Sequence, residues 1–183
     1  VIQMFMIKYN CIIMEKKIIQ LPTENNKNAK PSQKKRRQIA EKDDWNPNID
    51  VMNVLNILKQ GPPKTNDEMY IMKELQSKLN SYKNQDKKKN IYDENNIITL
   101  DEIIDKLLSC RLACFYCKEE VKLNYEFIRE PLQWSLERID NSYGHNNNNV
   151  EISCYSCNVH RKTMHHERYK FTKEMILIKK ESV

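Results

Sequence analysis

Two Cys-x-x-Cys pairs, Cys114/Cys117 and Cys154/Cys157, form the pattern C-x2-C-x36-C-x2-C. Each pair spans one tight turn and can turn two thiolates toward a common ion. Four sulfurs at about 2.3 Å complete a tetrahedral zinc shell with no open position. A zinc held this way is structural, and its binding energy is folding energy for a unit too small to rely on its core. The competing reading is four reduced core cysteines paired by chance. Cys110 lies four residues before Cys114 at a predicted helix end and is expected to be packed or spare; Cys11 is likewise not assigned as a ligand.

A second set of donors consists of oxygens. Glu137 lies between the cysteine pairs, and Asn158 directly follows the last cysteine. A carboxylate and an amide oxygen are hard ligands suited to Mg²⁺ or Mn²⁺. On separate elements tied by one zinc, they can face each other and leave positions for water and a phosphate. That is the layout of a one-metal phosphodiesterase site. Taken singly, Glu137 reads as a surface carboxylate paired with lysine. Both oxygen ligands are expected to be removable without loss of fold.

The segments "CFYC", "WSLERIDNSYGHNNNNV" and "CYSCN", within about Cys114 to Phe171, resemble the HNH (His-Me finger) endonucleases. They are also similar to HNH-like proteins of phages and large DNA viruses, whose loop reads Asp-Arg-Ile-Asp-Asn. The resemblance implies a metal-dependent nuclease that cuts phosphodiester bonds in DNA. It places the acidic metal ligand on Glu137, a loop-anchoring asparagine on Asn149 and the helix metal ligand on Asn158.

The chain departs from that pattern at Arg138, where the resembling enzymes carry the histidine that deprotonates water. Arginine stays protonated at any working pH and cannot replace it. A base must reach its water and titrate near the operating pH. His145, in the loop between the predicted strands, is the leading candidate, and Asp140 is the alternative. His160 points away from Asn158 on a helix, and His165 shares its face about 10 Å further along. His145 can also be a loop histidine with no catalytic task. Arg138 is then expected to grip the scissile phosphate, with Arg161 and Lys162, on the helical face of Asn158, holding neighbouring phosphates. Trp134, Tyr143 and Tyr155 could stack on bases, although aromatics beside a small zinc core more often pack.

Several elements must position these residues. Val51, Val54, Leu55 and Leu58 predict an amphipathic helix that stops at Gly61-Pro62-Pro63. A second helix is expected from Asp67 to about Tyr82, with Met69, Met72, Leu75 and Leu79 as its packed stripe. "NQDKKKNIYDENN", from Asn84 to Asn96, reads as a charged connector. Thr99 and Glu102 then form a capping box for a third helix, which delivers the chain to Cys114. A strand over Gln133–Ile139, a loop over Asp140–Asn149, a strand over Val150–Ser153 and a helix from Cys154 make a ββα unit. "FTKEMILIKK" is expected to pack back on it as a last short helix or strand. Thr23 to Asp44, including "KKRR" at Lys34–Arg37, reads as a solvated basic tail, a stretch that could also contact nucleic acid or direct nuclear import.

The formal net charge of +6 suits a polyanionic partner, but as a weak signal. The opening "VIQMFMIKYNCII" falls short of the roughly 20 apolar residues of a membrane span, so no membrane partner is expected. Residues 1–13 are read as non-native sequence upstream of Met14. Paired cysteines with no evident signal peptide point to a reducing intracellular compartment. For a viral source this would be host cytoplasm or nucleus, or the virion.

Together these features predict an α+β chain. Residues 1–48 are a tail, 49–98 a helical accessory region and linker, and 99–183 a zinc-stapled ββα domain of HNH type. The expected function is DNA hydrolysis with structural Zn²⁺ and catalytic Mg²⁺ or Mn²⁺. The alternative is a noncatalytic zinc module that binds nucleic acid or is associated with a virus, its site decayed.

Overall fold

A computed structural model describes residues 34–42 and 45–175. The expectations for residues 1–13, for Cys11, for most of the Thr23–Asp44 tail and for the "ILIKK" end lie outside the described residues. The architecture is α+β. In chain order come α1 (Val51–Gln60), α2 (Asn66–Lys88), α3 (Leu100–Ser109), β1 (Trp134–Arg138), β2 (Val150–Cys154), α4 (Tyr155–Arg161) and α5 (His166–Glu174).

Helices α1, α2 and α3 start where side chains can satisfy their first free N–H groups. Asp50 caps α1 through the N–H of Asn53, and Thr65 and Thr99 form capping boxes with Glu68 and Glu102. In α1 the buried face is Val54, Leu55 and Leu58, and the helix ends at Gly61. No helix among the described residues is long and apolar enough to cross a membrane.

Helix α2 departs from expectation at its C-terminal end. It runs through Lys88, so Asn84–Lys88 are helical rather than a connector. Lysine and glutamine are adequate helix formers, and Asp86 gains buried partners that the linear pattern does not reveal. The stripe is also rotated. Ile71, Leu75 and Leu79 face inward, Met72 is only partly buried and Met69 is exposed.

β1 and β2 pair antiparallel, with Trp134 opposite Cys154 and Glu137 opposite Glu151. α4 follows β2 directly and packs against both strands. Trp134 is wholly buried, which removes it as a base-stacking surface. Tyr169 of α5 packs edge-on against Tyr116 at 4.9 Å.

One hydrophobic cluster contains Leu55, Ile71, Leu75, Ile104, Leu107, Trp134 and Ile152. Packing therefore continues across the boundary expected at residues 98/99. The basic run is also drawn in where it is described. Arg37 bonds Glu74 at 2.7 Å and lies 4.1 Å from the Tyr125 ring, while Arg36 pairs with Glu126 at 2.7 Å. Acidic and aromatic partners far away in sequence convert these two arginines from solvated tail to docked strap.

Candidate metal and phosphodiester site

The Sγ atoms of Cys114, Cys117, Cys154 and Cys157 all lie within 4.8 Å of one another, with Cys117 and Cys154 at 3.8 Å. Legs of about 2.3 Å in a tetrahedron place sulfurs roughly 3.8 Å apart, so this cluster has the size of a zinc shell. The first pair sits on a knuckle closed by the Lys118 N–H to the Cys114 carbonyl, with Lys118 left-handed at φ 63°. The second pair sits at the start of α4, where Cys154 is the N-cap and its sulfur accepts from the Cys157 N–H at 3.4 Å. The Cys154 N–H reaches the Cys114 sulfur at 3.3 Å and joins the two pairs. Cys110 stands apart, its thiol directed to the Leu107 carbonyl at 3.4 Å.

Beside this cluster a cleft of about 410 Å³ is lined by Leu136, Glu137, Arg138, His145, Asn158 and Lys162, together with Tyr82 and Gln85 of α2 and Lys89 just past its end. Glu137 is 3% exposed; Arg161 pairs with its Oε1, while Oε2 has no hydrogen-bond partner. Burial pushes the Glu137 carboxyl up to about 7 against the opposing pull of Arg161. Asn158 donates its amide to the Ser135 hydroxyl and the Leu136 carbonyl, both at 3.2 Å. Its donors are thereby spent on β1, and Oδ1 is the atom left to accept. An unpartnered buried carboxylate oxygen and an amide oxygen on one cleft suit a hard divalent cation.

Asn149 clamps the loop between the strands. Its Oδ1 accepts from the Asp140 N–H at 2.9 Å, and its Nδ2 donates to the carbonyls of Asp140 and Gly144 at 2.9 and 3.0 Å. Arg138 lines the cleft, with Nη1 donating to the loop carbonyls of Asn141 and Tyr143 at 3.3 and 3.1 Å.

Arg161 overturns its expected role as a phosphate contact. It is 3% exposed, and besides Glu137 it donates to the carbonyls of Met164 and Arg138 and to the side-chain oxygen of Asn141. The buried carboxylate attracts the guanidinium inward, where its fork of donors is consumed. Lys162, next in sequence, stays exposed on the cleft rim.

Of the histidines, only His145 lines the cleft. Burial lowers its tendency to protonate, with Asp86 opposing. The Asp140 side chain instead accepts from the Ser142 N–H at 2.8 Å, inside the loop. His160 bonds the Ser156 carbonyl on the outside of α4, and His165 stands at the N-cap position of α5 without a side-chain capping bond.

Reading the sequence missed Asp86. It is fully buried, and its Oδ1 lies 2.8 Å from His145 Nδ1. A usable signal was present. Residues 71, 75, 79, 82 and 86 continue one helical stripe, and a carboxylate on an apolar stripe needs a partner. No family model matches the chain, and no curated protein or solved structure matches it.

Proposed function

We propose that the chain is a zinc-stabilised, divalent-metal-dependent endonuclease of HNH type that hydrolyses phosphodiester bonds in DNA. The observation that carries this reading is the Oε2 of Glu137, buried and without a partner, on the cleft that also presents Asn158 and His145. Orphaned buried carboxylate oxygens are rare in folded proteins and mark a place for an absent ion or water. Glu137 and Asn158 would hold Mg²⁺ or Mn²⁺, and the four paired cysteines a structural Zn²⁺. The divalent cation supplies a Lewis acid for the scissile phosphate.

The chain's own groups divide the remaining work. His145 takes the proton of the attacking water. Arg138 and Lys162 on the rim meet the phosphate and its neighbour with positive charge, and Lys89, the C-cap of α2, extends that rim. Charge of this kind binds a nucleic-acid backbone without reading its sequence.

One observation favours a noncatalytic nucleic-acid-binding or virus-associated module. Arg161 already neutralises one oxygen of Glu137, as it would in a site that has ceased to hold a cation. Nicking of supercoiled plasmid with Mg²⁺ or Mn²⁺ separates the two readings. Wild type should convert plasmid to the nicked form and Glu137→Gln should not. Intact plasmid with wild type under every divalent metal would favour the binding module.

A further inference from the structure

His145 is held from outside the strand–loop–strand–helix unit. Asp86, in the last turn of α2, contacts this one residue with both carboxylate oxygens. Its Oδ2 receives the His145 backbone N–H at 2.7 Å, and its Oδ1 faces ring Nδ1 at 2.8 Å. The preceding residue is Gly144, where a Cβ would come within 2.6 Å of the Ile91 carbonyl oxygen and 2.9 Å of Asp86 Oδ2. Only a residue without a side chain allows α2 and the loop to approach so closely. The Tyr82 ring, from the same helix, lies 4.4 Å from the imidazole. Among the described residues Nε2 has no partner, and the ring lines the cleft beside Glu137 and Asn158.

We infer that Asp86 is a positioning residue of this site: it fixes His145 as the Nδ1–H tautomer and leaves the lone pair of Nε2 facing the cleft as the proton acceptor. This rests on the nuclease reading. A proton passes from water to Nε2, and the water oxygen forms a bond to phosphorus. The P–O ester bond breaks with its electron pair going to the leaving sugar oxygen, which takes a proton from solvent. The imidazolium, stabilised meanwhile by Asp86, returns its proton to solvent. The helical region before the cysteine pairs is then part of the active site, and the strand–loop–strand–helix unit is incomplete without it.

A near-isosteric change tests this. The backbone N–H of His145 can only donate, so in Asp86→Asn the amide oxygen must turn toward it. The NH₂ group then faces Nδ1 and forces the ring into the Nε2–H form. Turnover in plasmid nicking should fall on the order of a hundredfold to ten-thousandfold, the range for a base in the wrong tautomer, with KM little changed. Long-range ¹H–¹⁵N correlation spectra of the full chain at neutral pH read the tautomer directly. They should show protonated Nδ1 in wild type and protonated Nε2 in Asp86→Asn. Protonated Nε2 or an imidazolium in wild type overturns the inference, whether or not the variant folds well. So does an Asp86→Asn protein that nicks at the wild-type rate. Failure of wild type itself to nick overturns the nuclease reading, and the catalytic task of the pair falls with it.

Discussion

Arg161 closes on Glu137 across 24 residues of chain, and both side chains are 3% exposed. The pair ties the last turn of α4 to β1, and the remaining guanidinium donors hold the loop that follows β1 and the turn after α4. Breaking a buried pair from one side leaves the other charge uncompensated. Arg161→Ala should therefore destabilise the fold by about 3–5 kcal/mol in urea titrations, whereas Glu137→Gln with Arg161→Met should recover much of that loss. If Arg161→Ala were neutral for stability but weakened DNA binding, the phosphate role rejected above would be restored.

The same pair changes what can be expected of Glu137. For Asn158→Ala the loss is confined to two hydrogen bonds to β1, so a folded protein is still expected, but Glu137→Ala would strand a buried arginine. Glu137→Gln keeps shape and a hydrogen-bond acceptor. It should retain zinc and the fold, at a cost in thermal stability from the uncompensated Arg161, while losing metal-stimulated nicking; Asn158→Ala should also stay folded and lose nicking. An active Glu137→Gln enzyme would refute the ligand assignment.

Proton and cation should compete at Glu137. Its folded value, about 7, lies above the unfolded one, near 4.3, so the native state binds the extra proton in between. Its contribution to stability is complete below the unfolded value and is lost as pH rises through about 7, with a slope of at most about 1.4 kcal/mol per pH unit. Affinity for Mg²⁺ should rise over the same interval, with proton release visible as a buffer-dependent enthalpy in calorimetry. Neither the slope nor the proton release should survive in Glu137→Gln.

The thiolate shell should behave as a folding switch. Cys154→Ser should lose bound zinc and unfold residues around β2 and α4, and Cys110→Ser should do neither, because its thiol is directed to Leu107. Zinc analysis and circular dichroism with a chelator check both. Unchanged zinc content in Cys154→Ser would rule out the four-cysteine shell.

Lys89 and Lys162, exposed on the cleft rim, are the expected phosphate contacts. Alanine at either should weaken DNA binding equally across sequences and reduce the salt-dependence slope by about one. A change in sequence preference instead would show that they read bases.

What the sequence determined by itself was local. Cysteine spacing, the capping boxes at Thr65/Glu68 and Thr99/Glu102, the stop at Gly61 and the strand–loop–strand–helix order all rest on interactions between residues a few positions apart; only the Thr65 box escaped notice. Such interactions carry their partners in the adjacent sequence. Glu137, Asn158 and His145 could be singled out for the chemistry of their side chains, and the structure places them on one cleft. The tertiary structure decided which charges are spent. Arg161 looked like its exposed neighbour Lys162 until β1 brought a buried carboxylate beside it. Asp86 looked like part of a lysine-rich connector, yet it lies 59 residues from its partner His145. A buried charge takes its role from the partner that packing brings to it, and no local pattern encodes a partner that far along the chain.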